Sequence, residues 1–189
     1  MAALTVLIIR HGEKPDRQWP GPGLTRRGNM NAGSLVVRGW QRAGAWATLF
    51  GTGLGGADYP SPDRIYAVDP KGDPSQQPTR RPRETVTPLA ARLGLSIIAR
   101  VQGQEAKLAA EINGLANGVV LVCWEHKRIG SVLLPALFGP QRPDGGVPRR
   151  WQGTRFDAVL RLDRADPGQS WKCRQLFPCL LSGDSDQPM

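Results

Sequence analysis

Cysteine, histidine and long apolar runs are all scarce in this sequence of 189 residues. The three cysteines, Cys123, Cys173 and Cys179, are odd in number and form no C-x-x-C pair, so neither a disulfide framework nor a dithiol redox motif is expected. No apolar run approaches the length of a membrane span, and no basic leader precedes the first apolar stretch. We therefore expect a soluble protein of a reducing compartment, the cytoplasm, with no membrane partner.

Lysine is also scarce, although the chain is basic. Lysine and arginine together number 25 against 16 acids, which gives a net charge of +9. The bases are mostly arginines spread through loops, with short clusters at residues 26–27, 80–83 and 149–150. Neither a basic helix nor a nucleic-acid motif accompanies them, so nucleic acid is not the expected partner. The excess charge favours an anionic substrate, and an arginine-rich solvated surface explains it equally well.

Apolar periodicity predicts alternating strands and helices, separated by polar loops at residues 15–33 and 71–80. The predicted strands are residues 4–10, 62–70, 96–101 and 119–123, and the predicted helices are residues 39–50, 81–93, 105–115 and a helix that runs from Arg128 into Pro135. Pro88 should kink the second helix or open a new first turn. The βαβ alternation predicts an α/β fold, a three-layer α/β/α sandwich around a mostly parallel sheet.

The pattern changes after Gly139. Residues 155–163 alternate apolar with mostly polar side chains, which predicts an antiparallel edge strand, and residues 171–176 predict a last short strand. An exposed edge of this kind could pair with a second copy of the chain, which would give a homo-oligomer. We expect one domain over residues 1–181, followed by a disordered tail at 182–189.

The only two histidines, His11 and His126, each follow an apolar strand-like run. Open α/β sheets bind ligands at the carboxyl ends of their strands, so the two side chains should share one site. Arg10 precedes His11, and Arg81 opens a predicted helix. Arginine forks bind phosphoryl oxygens, and an imidazole kept neutral by neighbouring cations supplies a nucleophile, so this set suits phosphoryl transfer. A metal site is not expected, because no third ligand at a recognisable spacing accompanies the histidines.

Together these motifs resemble the histidine phosphatase superfamily, in its phosphoglycerate-mutase-like branch. The motifs are R-H-G-E at 10–13 after a buried strand, G-x-x-x-A at 39–43, R-x-x-x-T at 81–85 and the histidine after VVLVC. The resemblance spans residues 4–137 and implies a phosphohistidine on His11, with Arg10, Arg81 and His126 around the phosphate and neither metal nor cofactor. Arg17 stands where the family often has an asparagine, and we assign it to substrate binding. Lys127 replaces the aspartate of the phytase-like branch, which disfavours that branch.

Two assignments stay open at this stage. In the mutase-like branch a carboxylate after the third strand protonates the leaving group; Glu105 falls there, and Glu125 and Glu13 are its rivals. Arg80 or Arg83 would replace Arg81 if the turn before the helix were shifted by one or two residues.

The sequence therefore predicts a metal-independent phosphatase that hydrolyses a small phosphomonoester through a covalent phosphohistidine. Its alternatives are a phosphomutase, and a module that binds a phospho-ligand or a protein without turnover. The loops at 15–33 and 139–155 should select the substrate, but they carry no motif that names it.

Overall fold

The computed structural model describes residues 3–70, 79–148 and 150–189. Most of the predicted loop at 71–80 and the arginine at 149 lie outside the described residues. The described strands form one six-stranded sheet in the order β3-β2-β4-β1-β5-β6. In chain order the strands are Leu4–Arg10 (β1), Arg64–Val68 (β2), Ile97–Arg100 (β3), Gly118–Trp124 (β4), Val159–Arg164 (β5) and Lys172–Leu176 (β6).

The sheet is mostly parallel, as predicted. β1 pairs with β4 in parallel register, with Arg10 opposite Trp124, and β2 pairs in parallel with both β4 and β3. β5 runs antiparallel to β1 and to β6. Since β1 and β4 are neighbours, the residues that follow their carboxyl ends come together at one edge of the sheet, as the sequence predicted for the two histidines.

Helices cover both faces of the sheet, which gives the predicted three layers. The first three are Val37–Gly51 (α1), Arg81–Leu93 (α2) and Glu105–Asn113 (α3). Alternate residues of β1 point to opposite faces: Leu7 and Ile9 pack in one core cluster with α1 and α2, whereas Val6 and Ile8 pack in the other with α3. Strands buried on both faces in this way read as continuous apolar runs.

Pro88 lies inside α2 without ending it. The prolyl nitrogen cannot donate to the carbonyl of Glu84, so one hydrogen bond of the helix is missing there. Of the two predicted consequences, a new first turn at Thr87 is excluded, because the helix is continuous from Arg81 to Leu93.

The helical segment after β4 begins earlier than the sequence predicted. It comprises an α-helical turn at His126–Arg128 (α4), a π-helical turn at Ile129–Leu133 and a further α-helix at Leu134–Phe138 (α5). The side chain of Glu125 caps its start by accepting a hydrogen bond from the backbone N–H of Arg128 at 3.1 Å. The cap places His126 in the first turn of the helix rather than in the loop before it.

One prediction about the end of the chain needs correction. The alternating segment at 155–163 does not form the edge, because β5 lies between β1 and β6, and β6 is the outer strand. Residues of the segment at 182–189, for which the sequence predicts disorder, contact the rest of the chain. Asp184 pairs with Arg42, and the carbonyl oxygen of Gln187 accepts a hydrogen bond from Arg155 at 2.6 Å. Buried arginines thus fix a segment whose composition by itself suggested disorder.

In the described ranges, no helix combines the length and the apolar character that a membrane crossing requires.

Candidate active site

His11 lies at the carboxyl end of β1 and is almost fully buried. Its backbone N–H donates to the carbonyl of Trp124 at 3.2 Å, which extends the pairing of β1 with β4 by one residue. Its Nδ1 lies 2.7 Å from the carbonyl oxygen of Gly12. A carbonyl can only accept, so Nδ1 carries the proton and Nε2 keeps its lone pair.

The surroundings of His11 keep its ring neutral. Burial is the largest cause and the charge of Arg10 the next, and together with Arg81 they lower the pKa of His11 to about 3. At neutral pH the side chain is therefore an uncharged imidazole with a free Nε2, the form that can act as a nucleophile.

Arg10 is buried beside His11, with its guanidinium carbon 3.7 Å from the ring centroid of Phe156. Its Nη1 donates to the carbonyl of Gly153, whereas its buried Nε has no hydrogen-bond partner in the described parts of the chain. Burial lowers the pKa of Arg10 to about 10, so the group is still a cation at neutral pH. An unpartnered buried cationic donor of this kind is costly unless an anion binds it.

Arg81, in the first turn of α2, has a similar arrangement. Its Nη1 donates to the carbonyl of Ala32 at 3.2 Å, and its buried Nε lacks a partner among the described residues. Its charge lowers the pKa of both His11 and Arg10, which places it at the same site. Arg80 and Arg83, the alternatives if the turn were shifted, instead line a separate cavity.

Thr85 connects the start of α2 to the turn after β1. Its hydroxyl accepts a hydrogen bond from the backbone N–H of Gly12 at 2.8 Å and donates to the carbonyl of Arg81 at 2.7 Å. This pair of bonds is the physical reason for the R-x-x-x-T spacing. The threonine lies one helical turn beyond the arginine, so a single side chain fixes both the turn after His11 and the helix that carries Arg81.

The turn after His11 also lies very close to α1. A Cβ atom on Gly12 would lie 2.9 Å from the carbonyl oxygen of Gly39, and a Cβ on Gly39 would lie 2.5 Å from the carbonyl oxygen of Glu13. Both contacts are shorter than carbon–oxygen packing allows, so each position requires glycine. The glycine of the G-x-x-x-A motif is therefore what permits α1 to pack behind the turn after His11.

His126 begins α4 at the end of β4, next to Glu125. Its Nδ1 lies 2.8 Å from a carboxylate oxygen of Glu125, and a Cβ on Gly153 would lie 3.7 Å from its Nε2. Since the carbonyl of Gly153 accepts from Arg10, this glycine lies between Arg10 and His126. The structure thus brings His126 to the same edge as His11 through a residue of the loop at 139–155. Neither Gly153 nor Phe156 belongs to a motif, and the sequence analysis missed both.

Glu105 lies at the start of α3 and is fully buried in an ion pair. One of its oxygens is 2.6 Å from Nη2 of Arg128, and Trp124 Nε1 donates to the other at 2.9 Å. Burial would raise the pKa of this carboxyl, but the hydrogen bonds from Arg128 and Trp124 hold it below its ordinary value. Its charge is not among the causes that shift the pKa of His11 or Arg10, whereas the charge of Glu125 shifts both.

The other two carboxylates near His11 also have close polar partners. Burial would raise the pKa of Glu125, but its contacts with His126 and the N–H of Lys127 lower it to about 2. Glu13 is buried and accepts from Nε and Nη2 of Arg42 at 2.9 and 2.8 Å. Arg17, in contrast, is exposed in the loop at 15–33 and forms no hydrogen bond or ion pair with the described residues.

Within the described ranges, no group of three or more histidine, cysteine, aspartate or glutamate side chains is arranged to hold a metal ion.

No protein-family model matches the sequence, and no curated protein sequence matches it significantly. Solved structures do match the fold. The mycobacterial glucosyl-3-phosphoglycerate phosphatase superposes with a TM-score of 0.52 at 16% identity, covering 90% of this chain and 97% of that protein. A structure described as mycobacterial hydrolase 1 gives a TM-score of 0.55 at 14% identity, covering 90% of this chain and 96% of the other. The same phosphatase in complex with VO3 superposes with a TM-score of 0.50 at 15% identity, covering 93% of this chain and 97% of that protein. This chain therefore has the fold of these mycobacterial hydrolases, the α/β/α fold that the resemblance to histidine phosphatases implied.

Proposed function

We propose that this protein is a histidine phosphatase, which hydrolyses a small phosphomonoester through a covalent phosphohistidine on Nε2 of His11. One observation carries the proposal: a buried neutral imidazole with a free Nε2 lies beside two cationic arginines, each with a buried Nε that has no partner among the described residues. Those donors need an anion, and the imidazole can attack one. The shared fold with a phosphatase supports the same reading.

In the first step the phosphoryl oxygens bind Arg10 and Arg81, and His126 donates a further hydrogen bond to them. The lone pair of His11 Nε2 forms the N–P bond, and the ester P–O bond breaks with its electron pair on the leaving oxygen. Gly12 helps to stabilise the product of this step. Its carbonyl oxygen accepts a hydrogen bond from Nδ1–H and so stabilises the positive charge that the ring acquires on phosphorylation.

A proton must reach the leaving oxygen, and we assign this transfer to Glu125. Its charge acts on His11, Arg10 and Arg81, whereas Glu105 is held by Arg128. A bound phosphate dianion raises the pKa of a nearby carboxyl, which makes proton donation by Glu125 accessible only with substrate in place. In the second step the ionised carboxylate accepts a proton from water as the water attacks phosphorus, and the N–P bond breaks to restore Nε2.

The substrate should be small, because the site lies at the end of β1 under the loops at 15–33 and 139–155. We place the protein in a reducing compartment, the cytoplasm, since Cys123, Cys173 and Cys179 are all unpaired.

A second candidate is a binding module with the same pocket but no turnover. The observation that favours it is that the carboxylates of Glu13, Glu105 and Glu125 each lie within 3 Å of an arginine or histidine nitrogen, so none is a ready proton donor. Such a module would bind phosphate analogues through Arg10 and Arg81 and release no phosphate.

The test is phosphate release from p-nitrophenyl phosphate with a chelator present, for the wild type, His11→Ala and the exposed control Lys107→Gln. Phosphatase action predicts turnover that survives chelation, a drop of about a thousandfold or more in His11→Ala, and no change in the control. Rapid quenching should also trap an acid-labile phosphoenzyme in the wild type only. Equal turnover in His11→Ala would refute the mechanism, and vanadate binding without any turnover would establish the binding module. Isomerisation of a phosphorylated substrate without phosphate release would instead identify a mutase.

A further inference from the structure

Two arginine clusters that are far apart in the sequence meet around a cavity of about 720 Å³. Arg26 and Arg27 come from the loop after β1, and Arg80 and Arg83 come from the start of α2. A volume of this size is typical of pockets that bind small molecules. Phosphoryl transfer at His11 gives these two arginine clusters no role, whereas a shared cavity gives them one.

This cavity is separate from the site at His11. Neither His11 nor Arg10 nor Arg81 lines it. The reason is the helical repeat of α2: residues 80, 83 and 87 share one face, whereas residues 81 and 85 share another. Arg81 and Thr85 face the catalytic turn, and Arg80 and Arg83 line the cavity.

The cavity carries an excess of positive charge. In the parts of the chain that the structure describes, none of the four guanidinium groups forms a hydrogen bond or an ion pair. Asp69 and Glu84 also line the cavity, so four cationic and two anionic side chains surround it. The Glu84 carboxylate accepts from the Ser34 hydroxyl at 2.8 Å and from the N–H of Leu35 at 3.1 Å. The excess of arginines around one concave surface gives a positive potential, which attracts an anion.

We propose that Arg26, Arg27, Arg80 and Arg83 form a second anion-binding site, which takes a compact polyanion with phosphoryl or carboxylate groups. The planar guanidinium forks suit both kinds of oxygen acid. The site does not depend on phosphoryl transfer at His11, since it shares no residue with the catalytic pocket. All four arginines are exposed, so their replacement should leave the fold intact.

The test is calorimetric titration with two probes, imidodiphosphate, a non-hydrolysable diphosphate, and citrate, at low ionic strength. The proteins are the wild type, Arg10→Gln, and two variants made in the Arg10→Gln background: the double variant Arg27→Gln/Arg83→Gln and the control Lys107→Gln on the opposite face of the sheet. The background substitution weakens anion binding in the catalytic pocket, so the second site is measured by itself. We expect the double variant to bind the preferred probe at least about tenfold more weakly than Arg10→Gln, with the Lys107→Gln control close to Arg10→Gln. The preferred probe identifies the ligand chemistry as phosphoryl or carboxylate.

Unchanged affinity in the double variant, or no binding of either probe to the wild type, would overturn the proposal. Loss of binding in Arg10→Gln alone would place the anion in the catalytic pocket and would likewise overturn it. Because this assay measures binding and not turnover, its result is independent of whether the protein proves to be a phosphatase.

Discussion

Arg42 and Asp184 form a two-point ion pair across 142 positions of the chain, with guanidinium–carboxylate distances of 2.9 and 2.7 Å. Both side chains are buried. The same guanidinium pairs with Glu13, two residues after His11. The end of the chain is thus connected through a helix to the turn that follows His11.

Asp184→Asn should weaken the whole arrangement. The substitution removes one charge of a buried pair and leaves Arg42 only partly neutralised, so the free energy of unfolding should fall by about 3 kcal/mol. Urea denaturation measures this change. Asp186→Asn, at an exposed position of the same segment, should stay within about 0.5 kcal/mol of the wild type. Equal effects of the two substitutions would mean that the ion pair does not stabilise the fold.

Gly39→Ala should be destabilising, and Gly44→Ala should not, although both lie in α1. A Cβ on Gly39 would lie 2.5 Å from the carbonyl oxygen of Glu13, whereas a Cβ on Gly44 meets nothing within 4 Å. The first substitution must push α1 away from the catalytic turn, at a cost of about 1–3 kcal/mol. The second should stabilise the helix by about 0.5–1 kcal/mol. Thermal and urea denaturation of the two variants measure whether each substitution lowers or raises the stability. A loss of stability in both variants would contradict the steric explanation.

His11 should make the protein less stable in acid. Its pKa is about 3 in the folded protein against 6.5 for an unperturbed histidine, so between these values the unfolded chain binds a proton that the folded protein does not. The free energy of unfolding therefore falls as the pH is lowered from about 6.5 to about 3, and this component is absent in His11→Gln. Denaturation curves recorded from pH 4 to 7.5 should converge at low pH for the two proteins. Parallel curves would show that the folded protein protonates His11 near its ordinary pKa.

Glu105 and Glu125 should respond differently to replacement by glutamine. Glu105→Gln breaks the pair with Arg128 and should lower the free energy of unfolding by about 2 kcal/mol, while the folded enzyme keeps its turnover of p-nitrophenyl phosphate. Glu125→Gln should lower kcat. The loss should be greater with glycerol phosphate than with p-nitrophenyl phosphate, because an alkoxide needs a proton on leaving and a nitrophenolate does not.

Steady-state kinetics with both substrates, together with urea denaturation, separate these outcomes. A large fall of kcat for glycerol phosphate in Glu105→Gln, with stability unchanged, would return the role of general acid to Glu105.

The sequence alone determined the features that depend on local pattern. Continuous apolar runs fixed β1 and β4, helical spacing fixed α2 at Arg81–Leu93, and the βαβ alternation fixed the parallel sheet. These features are predictable because backbone hydrogen bonding repeats at short range, and because the burial of each element imposes a period of two or 3.6 residues on its side chains. The juxtaposition of His11 and His126 followed from the same reasoning, since both come directly after buried strands.

Only the tertiary structure decided which charged groups pair. Glu105 fits the sequence position of a general acid, yet Arg128, from the turn after β4, forms an ion pair with it. Asp184 lies in a segment whose composition resembles a disordered tail, yet it forms an ion pair with Arg42. The meeting of Arg26 and Arg27 with the start of α2 was equally hidden. Ion pairs carry no periodic signal, because a charged side chain pairs with whichever group the packing of distant elements brings within a few ångströms. For this protein the sequence determined the layers, the strand ends and the place of His11, and the packing of distant elements determined the partners of the carboxylates around it.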